Sequence, residues 1–258
     1  MFYVLSFLFG ASVGSFVQVV ATRLHVAPII KARSKCLSCG EALRVHDLIP
    51  IISYLLLKGR CRYCKSKYGI YSFLIEFLYG LAYVALFQFV LSGQPTIWIS
   101  VLWLLYYSLL FITLGVIALY DRIHTYIPVS YLMFYCILTF GMLVFRYIND
   151  PTNVNLLAPV IVALPFLIIW LITRGRGLGF GDVLLFLGVG AFFGIQQGLA
   201  VLFLSVWIGA AVGVVIYILR RRNSIQNSAI PFVPFIVISF LLVLFTDIDI
   251  FSISQIFT

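Results

Sequence analysis

Eight apolar stretches run through this 258-residue chain, near residues 2–22, 71–91, 97–120, 128–145, 156–173, 183–197, 199–219 and 230–246. A helix that crosses a bilayer needs about 20 mostly apolar residues, because each residue adds only ~1.5 Å of rise. Backbone polar groups in hydrocarbon must be satisfied within the segment, which selects helices for runs of this kind. Composition agrees: 63% of the residues are hydrophobic and only 10% are charged. A soluble domain is nearer half apolar and a quarter charged, so a chain this apolar takes the bilayer as its solvent. The first run has no basic segment ahead of it and ends at Thr22-Arg23-Leu24 without a small-residue cleavage site, so it is read as a retained helix. The stretch at 183–197 is the weakest full span, and six spans remain if two short segments are re-entrant.

The charges orient these spans. Seventeen bases against eight acids give a formal net charge of +9, and ten of the bases fall between Arg23 and Lys67. With that loop in the cytoplasm, alternation also brings Arg122, Arg174, Arg176 and Arg220–Arg222 inside. Arg146 is left outside with Asp150, Asp247 and Asp249. This asymmetry follows the positive-inside rule and accounts for the charge without a nucleic-acid partner. The expected fold is an all-α polytopic membrane protein of about eight transmembrane helices. Residues 1–22 form the first helix, 23–70 a cytoplasmic module and 71–258 the main membrane domain.

The module carries Cys36-x2-Cys39-x21-Cys61-x2-Cys64. Each Cys-x-x-Cys turn can present two thiolates, and two turns complete a tetrahedral sulfur site suited to zinc. Lys35, Arg60, Arg62 and Lys65 offset the negative charge of such a centre. A redox pair is the competing reading, but a cytosolic loop is reducing. Four thiolates leave no open coordination position, so the expected Zn2+ is structural. A segment this small cannot build its own core and needs a staple.

Two acids stand at the ends of apolar runs. Asp121 follows Leu114–Tyr120 and precedes Ile127-Pro128, while Asp182 closes Arg174-Gly-Arg-Gly-Leu-Gly-Phe-Gly-Asp182. Ionisable groups so close to hydrocarbon are costly and mark functional sites. Two carboxylates held together cannot both ionise freely, so one can serve as acid and the other as base on water. Gly179 and Gly181 would let a substrate strand approach Asp182. The plainer alternative is that Asp182 is a helix cap. Glu76, early in the second span, could hold a cation, an amine or an arginine, or snorkel to the interface. His124 could bond Asp121 or sit in the interfacial loop. Gly10-x-x-x-Gly14 allows close packing of two helices within the chain or between chains.

Six segments taken in order resemble the type 4 prepilin peptidase family, which includes the leader peptidases of competence and type II secretion. They are Gly14-Ser-Phe-Val-Gln-Val-Val20, Pro50–Leu55 with Lys58–Cys64, Glu76, Tyr120-Asp121 through Ile127-Pro128, Gly179-Phe-Gly-Asp182 and Ile230-Pro-Phe-Val-Pro-Phe235. Gly179–Asp182 is similar to the Gly-x-Gly-Asp motif of intramembrane aspartyl proteases. The resemblance implies that Asp121 and Asp182 are catalytic carboxylates. It implies cleavage after a leader Gly of type IV prepilins or pseudopilins at the cytoplasmic face, with 71–258 as the peptidase domain. It also implies methylation of the new N-terminus with S-adenosylmethionine, involving the 23–70 module and Glu76. Departures are Leu184 in place of a Lys, Val129 in place of an Asp, Gln18 in place of Asn and Val233 in place of Gly; Gln18 bears on methylation. The rival readings are a polytopic transporter, which would hold its acids at mid-membrane, a non-enzymatic assembly scaffold with a structural zinc loop, and a related Gly-x-Gly-Asp protease acting on signal peptides, which would not need the four cysteines.

Overall fold

A computed structural model describes residues 2–26, 28–29, 34–36, 38–93, 96–223 and 231–250; the side chains of Arg220–Arg222, expected to anchor topology, and Ile230 of the last motif lie outside them. Among the described residues the regular structure is helical: α1 (Phe2–Arg23), α2 (Ile52–Leu56), α3 (Ile70–Gly93), α4 (Ile97–His124), α5 (Val129–Asn149), α6 (Ala158–Thr173), α7 (Phe180–Phe193), α8 (Ile195–Asn223) and α9 (Val233–Thr246). Five helices are long and apolar enough to cross a membrane: α1, α3, α4, α5 and α8 through Leu219. Three apolar helices are shorter: α6, α7 and α9. The 14 residues of α7 and of α9 span about 21 Å each, less than the ~30 Å hydrocarbon core.

The expected span at 183–197 breaks at Gly194, which sits at φ +85°, and Ile195 opens α8 instead. Hydropathy is continuous across that point, so the break is a backbone event rather than a change of polarity.

The chain divides into two compact units, Met1–Val116 and Ile117–Thr258. In the first, α1 packs along α3. A Cβ on Gly10 would lie 2.6 Å from the Tyr79 carbonyl and from Tyr83 Cβ, and one on Gly14 would lie 2.8 Å from Tyr79 Cβ. The small-residue stripe is therefore filled by this chain's own α3. Tyr79 also donates its hydroxyl to the Phe111 carbonyl at 3.0 Å, tying α3 to the first part of α4.

In the second unit α7 is the central helix. Val183, Leu185, Phe186, Val189, Ala191, Phe192 and Phe193 are all buried, so the helix is enclosed on every side. Both α5 and α6 pack on it. A Cβ on Gly188 would run into the Tyr135 ring, and one on Gly190 would lie 2.6 Å from the Ala158 carbonyl. The Tyr135 hydroxyl donates to the Leu185 carbonyl at 3.2 Å. Close packing of this kind, more than hydrophobic transfer, holds helices together in lipid. The rings of Phe166, Phe186 and Phe232 stack, with centroids 4.3 Å apart for the first pair and 5.6 Å for Phe166 and Phe232. That stack pins the residue just before α9 against α6 and α7.

Candidate active site

Asp121 lies one turn before the end of α4 and is 7% exposed. Its Oδ2 accepts the backbone N–H of Val233 at 3.3 Å. Val233 is the first residue of α9, and its preceding residue, Phe232, supplies no side-chain cap. The opening amides of a helix lack intrahelical partners and carry positive dipole charge, so a carboxylate from another helix satisfies one of them well.

Asp182 stands in the first turn of α7, half-buried, with its N–H donated to the Gly179 carbonyl at 3.1 Å. It is close enough to Asp121 for the charge of one carboxylate to act on the other. Two acids separated by sixty residues thus interact electrostatically where α4 ends and α7 begins. Gly181 makes the approach possible: a Cβ there would lie 2.8 Å from Ile127 Cδ1 and 3.2 Å from Ile127 Cβ. Gly179 is extended, and a Cβ on it would sit 3.4 Å from Asp182 Oδ2, an ordinary contact. The flanking loop is tightly turned, with Arg174 at φ +50° and Gly175 at φ +74°.

Beside Asp121 the Tyr120 hydroxyl meets that of Tyr126 at 2.5 Å. The His124 ring lies over Tyr120 with centroids 4.3 Å apart, so His124 is used in this aromatic cluster. The Val233 amide is the functional contact that residue types could not reveal, since a backbone donor has no sequence identity. The indirect signal was Pro234, which marks a helix start at that point.

The four module cysteines converge. The sulfurs of Cys36, Cys39, Cys61 and Cys64 all lie within 4.8 Å of one another, with Cys36 and Cys64 3.8 Å apart. Zinc–sulfur bonds of about 2.3 Å in a tetrahedron require sulfurs roughly 3.8 Å apart, so the cluster fits zinc. Each half is a knuckle closed by backbone bonds: Cys36 N–H to Glu41 O and Gly40 N–H to Cys36 O in one, Cys61 N–H to Ser66 O and Lys65 N–H to Cys61 O in the other. Gly40 and Lys65 occupy the same left-handed position, at φ +73° and +60°. Amides of Cys39 and Ser38 aimed at Cys36 bring its thiol down to about 5, and the Cys64 amide lowers Cys61 in the same way. The Glu41 amide favours the Cys39 thiolate too, but burial and the neighbouring Cys36 and Cys64 sulfurs outweigh it and push Cys39 up to about 12, so Cys36 and Cys61 are the ready thiolates of the four.

Asp47 braces the second knuckle. Its Oδ1 accepts Arg62 Nε at 2.7 Å and its Oδ2 accepts the Arg44 N–H at 3.2 Å. Burial raises this carboxyl, but the Arg62 and Arg44 bonds outweigh it and hold the group below the usual aspartate range.

Glu76 is 8% exposed. It accepts the Ile51 N–H at 2.8 Å and interacts with the Ser15 hydroxyl. Ile51 itself is held at φ +63°. Glu76 lines a cavity of about 370 Å3 together with Ser15, Gln18, Asp47, Ser53 and Tyr54. Gln18 reaches across it to the Ser72 carbonyl at 3.3 Å.

Family models match the chain in two stretches: the bacterial peptidase A24 N-terminal domain over residues 8–90, and the type IV leader peptidase family over residues 108–214. The prepilin leader peptidase/N-methyltransferase of Bacillus subtilis (strain 168) is 34% identical over 233 residues, covering 88% of both chains. That of Burkholderia pseudomallei (strain K96243) is 32% identical over 262 residues, covering 88% of this chain and 80% of the relative. That of Aeromonas hydrophila is 29% identical over 272 residues, covering 93% and 89%. No solved structure matches the chain significantly.

Proposed function

Because the chain belongs to the type IV leader peptidase family, we propose that it removes the leader of prepilins or pseudopilins at the cytoplasmic face of the bacterial membrane, with Asp121 and Asp182 as the catalytic pair. The observation that carries this reading is the electrostatic interaction of two carboxyl groups from separate helices, one bound to the opening amide of α9 and the other in the first turn of α7. A pair of this kind holds one proton between two groups. The ionised member takes a proton from the attacking water, and the protonated member gives one to the departing amine, which balances hydrolysis without a metal. The substrate is a short leader ending in Gly, followed by an apolar helix. The bases of the 23–70 loop favour a cytoplasmic location for this face. Purified protein carrying Asp121→Asn or Asp182→Asn, given a prepilin with Gly at the cleavage position, should lose about 10²–10⁴-fold in rate. Full processing by either variant would end this assignment.

A second activity, methylation of the freed N-terminus, is favoured by the cavity at Glu76. S-adenosylmethionine supplies an electrophilic methyl group on a sulfonium when bound. The Glu76 carboxylate suits its positive charge, the Tyr54 ring offers a stacking face, and Gln18 and Ser15 offer polar contacts. Glu76→Gln should lower incorporation of labelled methyl into mature pilin by tenfold or more while leader cleavage persists. Equal labelling would remove Glu76 from that role. The tetrathiolate module, with zinc, is structural in this scheme and holds the loop that borders the cavity.

A further inference from the structure

A second cavity, of about 510 Å3, opens at the end of α7 opposite Asp182. It is lined where α5, α7 and α9 finish and α8 begins, by Arg146, Phe193, Gln197, Asp247 and Asp249, with Asn155 from the connecting loop. The 14 residues of α7 put it about 21 Å from the Asp182 end. Leader cleavage uses none of these groups.

The lining has a particular chemistry. One guanidinium faces a wall that also holds two carboxylates and the side-chain amides of glutamine and asparagine. A simple cation is opposed by Arg146 and a simple anion by the two aspartates, whereas a ligand carrying both charges finds a partner for each. The backbone reinforces the pattern. Three helix C-termini place carbonyls and negative dipole charge here, while the α8 N-terminus places its first amides beside Gln197. Arg146 is set in place by donating Nη1 to the Phe192 carbonyl at 2.8 Å, and its guanidinium carries further N–H groups suited to phosphate. Gln197 Nε2 reaches Asp247 Oδ1 at 3.5 Å, orienting that carboxylate. Carboxylates and amide oxygens accept hydrogen bonds, so they select a primary ammonium with three donors over a quaternary one with none. Leu143, Phe193 and Ile195 give the cavity an apolar side. It lies at the ends of α5 and α8, two helices long enough to span, and so at headgroup depth.

We propose that this cavity binds a phosphoethanolamine group, with the phosphate on Arg146 and the α8 amides and the ammonium on Asp247 and Asp249. The proposal does not depend on the peptidase reading. Native mass spectrometry of the full-length protein in detergent, offered equal amounts of phosphatidylethanolamine and phosphatidylcholine, is the test. Wild type should retain the ethanolamine lipid at least ~10-fold better. Asp247→Asn with Asp249→Asn should abolish that preference. Arg146→Gln should weaken retention of both lipids and Arg146→Lys should restore it. If Arg146→Gln fails to elute as a folded protein, the aspartate pair carries the test, since Asn tolerates the left-handed backbone found at Asp247 (φ +52°). Free O-phosphoethanolamine is the second arm: stoichiometric binding of it alone assigns the site to the soluble headgroup, and retention only of the diacyl form assigns it to lipid. Equal retention of the two lipids with no binding of free phosphoethanolamine, or an unchanged preference in the aspartate variant, overturns the proposal.

Discussion

At the scale of single residues, the candidate site depends on how closely the chain can bring Asp182 to Asp121. Gly181 sets that distance through its contact with Ile127. Alanine at 181 would force its methyl group to within 2.8 Å of Ile127 Cδ1, which must move or push α7 away. Overpacking of this kind costs about 1–3 kcal/mol, and a displacement of the carboxylate lowers the rate further. Gly181→Ala should therefore reduce leader cleavage by at least tenfold. Combining it with Ile127→Val, which deletes Cδ1, should recover much of the loss, as measured by initial rates on one prepilin. No recovery would mean that residue 181 acts some other way. The contacts hardest to read from sequence are those made to backbone: the Val233 amide on Asp121 and the Ile51 amide on Glu76. Any residue but proline offers such a donor, so no side-chain pattern announces it. The carboxylates themselves were legible, because an acid at the end of an apolar run is rare enough to stand out.

At the scale of elements, the two cysteine knuckles were the most legible part of the chain. Their ligands lie three residues apart within each turn, so local spacing fixes local geometry, and the sulfurs do converge. What spacing did not reveal was the brace formed by Asp47 on Arg62, fifteen residues away. Its pH dependence has a definite sign. The Asp47 carboxyl titrates lower in the folded module than in an unfolded chain, where it titrates near ~4. The unfolded state therefore binds more protons in acid, and the stability that Asp47 contributes is present at neutral pH and lost as pH falls through its folded value. Wild type should resist proteolysis of the 23–70 loop better than Asp47→Asn at pH 7, and that advantage should shrink below pH ~4. A constant difference across this range would contradict the brace. Helix α7 was read less well. Its hydropathy continues past Phe193, and Gly194 is one of several glycines in that stretch, alongside Gly188, Gly190 and Gly198. Three of these four are themselves helical, and only backbone conformation distinguishes the one that breaks the helix.

At the scale of the whole molecule, the chain is a multi-pass membrane protein of the leader peptidase family, with five helices of spanning length and three shorter apolar ones among the described residues. Apolar length alone identified the helices, because lipid imposes one requirement on all of them. It could not distinguish a full span from a short buried helix, since enclosed α7 and lipid-exposed segments are equally apolar. The division at Val116 and Ile117 falls inside α4, where neither composition nor a turn marks a boundary. The central claim is that Asp121 and Asp182 act as one catalytic unit. Its most direct test is the single-turnover cleavage rate of a Gly-containing prepilin by Asp121→Asn, Asp182→Asn and the double variant. Groups that act together are lost together, so the account predicts that the double variant is no slower than the slower single one. Losses that multiply, or a single variant that cleaves at the wild-type rate, would contradict it.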